Sequence, residues 1–194
     1  MLEGRKIKQI TRIYLFVGLG NPGPKYQFDR HNVGYMVGEE LRCRWGIPQL
    51  SNRFQGLFGD TSVAEAKKAL LLPTTYMNLS GRAVLEAIRW FKLPVDNCLV
   101  IHDEVELPFG EIRIKEGGGL GGHNGLRSLE QSLGTRDFWR LRVGVGRPSR
   151  SSRPLADYVL ESFDKPREDI LLLLGQAADL AEEWLNTRST CIST

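Results

Sequence analysis

The apolar run Ile13-Tyr14-Leu15-Phe16-Val17 empties directly into Gly18-Leu19-Gly20-Asn21-Pro22-Gly23-Pro24, and this junction limits the fold more than anything else in the chain. A short buried strand that feeds a polar, glycine-rich loop is how an α/β sheet delivers side chains to a site. Gly18, Gly20 and Gly23 also satisfy the spacing of a dinucleotide-binding fingerprint. That fingerprint has physical meaning only when a helix opens at once and aims its amides at a pyrophosphate. Pro22 and Pro24 bracket Gly23, removing donors and steering the chain away from helical geometry. The loop is therefore expected to present side chains, and no nucleotide cofactor is expected.

The helix comes later. Val33, Val37, Leu41 and Trp45 recur at helical spacing, Asp29 is the expected N-cap, and Gly46 and Pro48 end the element. His31 then falls in the first turn, where the helix dipole disfavours the imidazolium and Asp29 favours it. Further along, 54–63 and 69–72 read as strands, 79–92 as a helix stopped by Pro94, and 98–101 as a buried strand. Residues 111–115 read as an exposed strand, and Leu126, Leu129 and Leu133 mark a helix ended by Gly134. Residues 139–145 read as another strand, and a last helix opens near Pro166. Alternating strands and helices predict an α/β three-layer sandwich, a mixed central sheet flanked by helices.

Length and composition fit one domain. The chain has 194 residues, 41% of them apolar and 25% charged, which suits a soluble globular fold. The expected division is a basic N-terminal extension over residues 1–12, disordered, and a single domain over 13–194. No apolar run is long enough to span a membrane, and no signal-like apolar stretch opens the chain. Cys43, Cys98 and Cys191 lack paired or metal-like spacing, which predicts a reducing cytoplasm. Charge is segregated: residues 111–153 hold nine basic and four acidic side chains, a net +5, and residues 154–194 hold three basic and eight acidic, a net −5. A positive stretch on an otherwise balanced body suits a polyanion such as RNA.

Polar residues collect just beyond the apolar strands. Asn21 follows the first, Asn78 follows 69–72, and Asp103 follows 98–101, while His31 arrives from the first loop. His123 and Asn124 close a segment, Gly117 to Gly125, in which six of nine residues are glycine. That much backbone freedom is unfavourable unless something must approach closely. His102 and Asp103 are neighbours on a strand and point to opposite faces, so only one is expected to face the site. Asp103 is the better choice, because a carboxylate fixes the tautomer of a histidine and raises its basicity; His102 is then a packed or surface residue. A metal site of three histidines and an aspartate is a rival, yet no histidine pair has the spacing of a metal-binding helix. A serine esterase lacks its G-x-S-x-G elbow.

Four motifs together carry a resemblance. Gly18 to Gly23 with Tyr26 and Arg30-His31-Asn32, then Pro73 to Gly81, then His102-Asp103-Glu104, then Gly121 to Leu126 are similar, in that order, to bacterial-type peptidyl-tRNA hydrolase over residues 13 to 187. The resemblance implies a monomeric, cofactor-free and metal-free α/β hydrolase that cleaves the ester joining a peptide to the 3′ ribose of tRNA. It implies His31 as proton acceptor, Asp103 as the group that keeps it basic, and Asn21 as the residue separating blocked from unblocked substrates. Tyr26, Tyr76, Asn78 and Asn124 match substrate contacts, and His123 a histidine lining the cleft. Lys115 and Arg142 match basic residues near tRNA phosphates. Asp29 departs from the threonine usual in the family, and Leu120 from a small or polar residue. The rival within this fold is a catalytically silent RNA-binding protein related to chloroplast intron-splicing factors.

Overall fold

The computed structural model describes residues 12–63, 66–148 and 154–190. Seven strands form one sheet: β1 (Arg12–Gly18), β2 (Ser51–Arg53), β3 (Gly56–Val63), β4 (Ala66–Pro73), β5 (Cys98–Glu104), β6 (Ile112–Glu116) and β7 (Trp139–Gly144). Their order is β2-β3-β4-β1-β5-β7-β6. The central β4, β1, β5 and β7 run parallel, and β2, β3 and β6 add antiparallel edges. The central strands are buried on both faces, which explains their unbroken apolar runs.

The helices are α1 (Val33–Arg44), α2 (Ser80–Phe91), α3 (Asn124–Leu133), α4 (Leu155–Val159) and α5 (Arg167–Thr190). Two apolar cores separate the layers. Phe16, Leu70 and Ile101 face Val37 and Leu41 of α1 and Leu173, Ala177 and Trp184 of α5. Leu15, Leu71 and Val100 face Ala83, Val84 and Ala87 of α2 and Leu126 and Leu129 of α3. The mixed sheet between helical layers is the architecture expected from the sequence. Gly34 permits a close approach beside the site: a Cβ there would lie 2.4 Å from the Ile101 carbonyl oxygen. Only a glycine lets α1 start against the end of β5.

Several local expectations need correction. Residues 54–63 are not one strand. Phe54 and Gln55 turn between β2 and β3 with φ of 54° and 50°, a two-residue hairpin conformation that normally selects Asn or Gly. Phe54 accepts it because its ring is buried against Phe58 and Phe91. Asp29 is not a side-chain cap. A 3-10 turn, Arg30–Asn32, precedes α1, and Asp29 is extended and bridges to Ser162. α4 was not foreseen; five residues are too few for a periodic signal. The expected extension over residues 1–12 lies outside the described residues except for Arg12, which opens β1. No helix among the described residues is long and apolar enough to cross a membrane.

Candidate active site

The polar loops converge at the carboxyl ends of β1, β4 and β5. β1 lies between β4 and β5, with the α1 layer on one face and the α2 layer on the other. The chain thus leaves the sheet in opposite directions at this point, and such a switch opens a crevice. The crevice is a cleft of about 660 Å³. Asn21, His31, Asp103 and His123 line it, together with the polar Tyr76, Asn78, Asn124 and Arg127 and the apolar Leu155, Val159 and Leu160. A larger groove of about 930 Å³ runs between the 21–28 loop and the start of α5. It contains neither His31 nor Asp103, so the smaller cleft is where chemistry can occur.

His31 Nδ1 lies 2.8 Å from Asp103 Oδ1. A carboxylate only accepts, so Nδ1 carries the proton and Nε2 keeps a free lone pair. Burial pushes the His31 imidazolium down, but the charge and hydrogen bond of Asp103, with Asp29 behind them, more than reverse this and raise its pKa above the ordinary value. Burial alone would raise the Asp103 carboxyl; His31 and His123 overcome it and hold the group well below the ordinary range. Asp103 is therefore ionised throughout the neutral range.

Asn21 is held from three directions. Its Oδ1 accepts from Met77 N–H at 2.9 Å, its N–H donates to Asn32 Oδ1 at 2.9 Å, and its carbonyl accepts from Asn32 Nδ2 at 2.9 Å. With Oδ1 taken by the loop after β4, the Nδ2 donors of Asn21 are left for the cleft. Asn32 is the residue that sequence reasoning passed over. It stood inside the Arg30-His31-Asn32 triplet, but nothing in one dimension shows that it clamps the backbone eleven residues earlier. Arg30 was likewise unassigned. It is buried and donates to the carbonyls of Tyr158 and Glu161 and to Asp164, at 3.2, 3.1 and 2.9 Å, tying the His31 turn to the α4 wall.

The other expected site residues divide. Tyr76, Asn78, His123 and Asn124 line the cleft. Tyr26 does not: it sits half-buried outside it, with Lys25 Nζ 4.5 Å from its ring centroid. Lys115 is exposed on the edge strand β6, beside Gly118. Arg142 is bound to Glu104 at 3.0 Å. The positive stretch read from sequence is much weaker in space. Arg136 pairs with Glu130 and Arg147 with Glu106, and Arg140 is buried on the carbonyls of Gly118, Gly119 and Arg136. His102 is packed, as expected, with its Nδ1 donating to its neighbour's carbonyl at 2.6 Å. Burial, helped by His123, drives its pKa down to about 3.

His31, Asp103 and His123 are the one group among the described residues whose donor atoms could meet at a cation, all within 4.8 Å. The donor chemistry argues against it. His123 Nδ1 accepts from the N–H groups of Gly125 and Leu126 at 3.0 and 3.3 Å. Its Nε2 must then carry the proton, and that proton points at Asp103 Oδ1, 3.0 Å away. The two nitrogens facing the carboxylate hold protons and offer a cation no lone pair.

The family model for peptidyl-tRNA hydrolase matches residues 15–193. The chain belongs to the peptidyl-tRNA hydrolase family. It is 49% identical over 169 residues to the peptidyl-tRNA hydrolase of Geobacter sp. (strain M21), covering 87% of this chain and 89% of that one. It is 45% identical over 174 residues to that of Geobacillus thermodenitrificans, covering 89% and 93%. The crystal structure of peptidyl-tRNA hydrolase from Acinetobacter baumannii superposes with a TM-score of 0.76 at 38% identity, covering 88% of this chain and 85% of that one. The alternative of a silent RNA-binding protein finds no support among these relatives of the family.

Proposed function

We propose that this chain hydrolyses the ester between a peptide, or an N-blocked aminoacyl group, and the 3′ ribose of tRNA, with His31 as general base. The observation that carries the reading is the buried His31–Asp103 pair, which leaves His31 Nε2 free in an open cleft that Asn21 also lines. Water loses a proton to Nε2 as it attacks the ester carbonyl, and Asp103 stabilises the imidazolium that forms. Negative charge grows on the carbonyl oxygen, where the Asn21 amide donates. The tetrahedral intermediate then expels the ribose oxygen, which regains a proton from the imidazolium. No cofactor or metal enters these steps.

The apolar wall of Leu155, Val159 and Leu160 suits a peptide of variable sequence. Asn78, Asn124 and Arg127 offer polar groups to the tRNA end, and Lys115 a charge to a phosphate further out. The domain that starts with β1 acts as a monomer in the cytoplasm on this reading. Incubation with N-acetyl-aminoacyl-tRNA should release free tRNA, and the free-amine substrate should be spared. His31→Ala should lose about 10² to 10⁴-fold in turnover with tRNA affinity kept. Tight binding without release by the parent protein, or equal losses of binding and turnover in the variant, would overturn the assignment.

A further inference from the structure

His123 is held more tightly than a residue that merely lines a cleft. Its side chain is 8% exposed, and both ring nitrogens are engaged within the protein. Nδ1 caps α3 by accepting from Gly125 and Leu126 N–H, and Nε2 donates to Asp103 Oδ1 at 3.0 Å. That oxygen is the same one that accepts from His31 at 2.8 Å. The two imidazoles lie 4.8 Å apart, and the buried ring of His102 stands edge-on to His123 at 5.1 Å. The ring lines the cleft, but no ring nitrogen is left to hydrogen-bond a substrate atom.

We propose that His123 is a positioning residue: α3 locks its tautomer, and its Nε2–H shares Asp103 Oδ1 with His31, so that it sets both the orientation of the carboxylate and how strongly His31 is basified. This rests on the general-base reading of His31. An oxygen that accepts two N–H bonds gives less of its charge to each. His123 therefore moderates the basicity of His31 and keeps the carboxylate turned toward it. It also ties the catalytic pair to the N-terminus of α3, whose Asn124 and Arg127 line the cleft, and to the glycine-rich segment before it. The titratable groups around His31 are Asp103 on β5, Asp29 ahead of it and His123, with His102 edge-on to His123 and Glu104 lining the same cleft. Arg30 lies beside it, bound to Asp164, and Glu104 is bound to Arg142. A change at 123 leaves all of these but His123 in place.

Two variants separate the roles. His123→Ser keeps a good helix cap but cannot reach Asp103; His123→Ala loses both functions. The readouts are the acidic limb of kcat/KM against pH on N-acetyl-aminoacyl-tRNA, and the His31 ring titration by NMR on the intact protein. Both variants should move the limb and the His31 titration to higher pH. On that limb kcat/KM should fall by roughly 3- to 10-fold, tenfold corresponding to one pH unit, with KM within about twofold of the parent. A limb and titration unmoved in His123→Ser would reduce His123 to a helix cap and overturn the proposal, as would a rise in KM alone. A parent without hydrolysis would sink the functional reading, yet the His31 titration would still decide this one.

Discussion

Replacing Asp103 by asparagine changes one atom and removes a buried charge that two histidines address. Asp103 is 4% exposed, so the carboxamide remains enclosed and water cannot take over its role. A hydrogen bond to a charged group is worth about 1.5 to 3 kcal/mol, and losing that help to the His31 imidazolium costs about 10- to 150-fold in rate. A second loss follows from the tautomer. An amide that turns its NH₂ toward His31 makes Nδ1 an acceptor and places the proton on Nε2, the atom that must receive one. Together these give an expected fall of about 10² to 10⁴-fold in kcat, within the range of general-base catalysis. Burial, now unopposed by Asp103, should also drive the His31 pKa down, moving the acidic limb of the pH profile to lower pH. The assay is steady-state release of tRNA from N-acetyl-aminoacyl-tRNA across pH 5 to 9, beside the tRNA affinity of the same protein. Affinity should stay within about twofold, because the carboxylate is too deep to touch RNA. A kcat within fivefold of the parent, or an affinity that falls as far as the rate, would refute the role given to Asp103.

Stability should follow the same pair. The pKa of His31 is raised above 6.5, so its contribution is complete below that pH and is lost as pH rises through the folded value. Asp103 is depressed below 3.8, so its contribution is present above that pH and fades only in stronger acid. Urea unfolding of the parent and His31→Gln should therefore differ most near pH 6 and less near pH 8; a gap that widens with pH would contradict the sign. Gly81→Ala places a Cβ 2.1 Å from the Ser128 carbonyl oxygen, where α2 crosses α3. Overpacking of about 1 to 3 kcal/mol should lower Tm by roughly 2 to 12 °C; an unchanged Tm would show that the helices separate freely. Lys115→Gln should weaken tRNA binding and flatten its log–log salt dependence by about 0.7 to 0.9, and Arg142→Gln should do less, since Glu104 already neutralises Arg142. The reverse order in a filter-binding titration would show that the Glu104 pair opens on RNA.

The parts of the fold and site that could be read in one dimension were those with local causes. Val33, Val37 and Leu41 carry helical spacing, Cys98 to Ile101 is a buried strand, and Pro22 with Pro24 bars a phosphate-binding turn. That Asn21, His31 and Asp103 meet at one cleft was legible because each follows or flanks an apolar run. What escaped depends on pairing across the sheet or the cleft. Arg142 is neutralised because β5 and β7 align His102 with Arg142 and Glu104 with Gly144, which makes Glu104 the diagonal neighbour of Arg142; a running sum of charge cannot see that register. The turn at Phe54 and Gln55 carries no glycine or asparagine to announce it. The bond from His123 to Asp103 spans twenty residues and a helix terminus, and no spacing encodes it.

That bond also answers a question the sheet raises. A carboxylate at the end of a central strand, buried between two apolar layers, is unfavourable by several kcal/mol unless donors meet it. One histidine would have to serve as both its partner and the base, and each proton that His31 gave up or took would then leave Asp103 alternately over- and under-compensated. A second N–H donor, itself fixed by backbone amides that do not titrate, keeps the carboxylate partnered in both states of His31. The switch of chain direction at β1 makes room for such an arrangement. It brings the loops after β1 and β4, the end of β5 and the start of α3 to one place, so the base, its carboxylate and the donor that steadies it come from three different elements. With His31 as the proposed base, activity would depend on α3 holding its position as much as on His31 itself, so substitutions in α3 that loosen its first turn should lower kcat before they lower affinity.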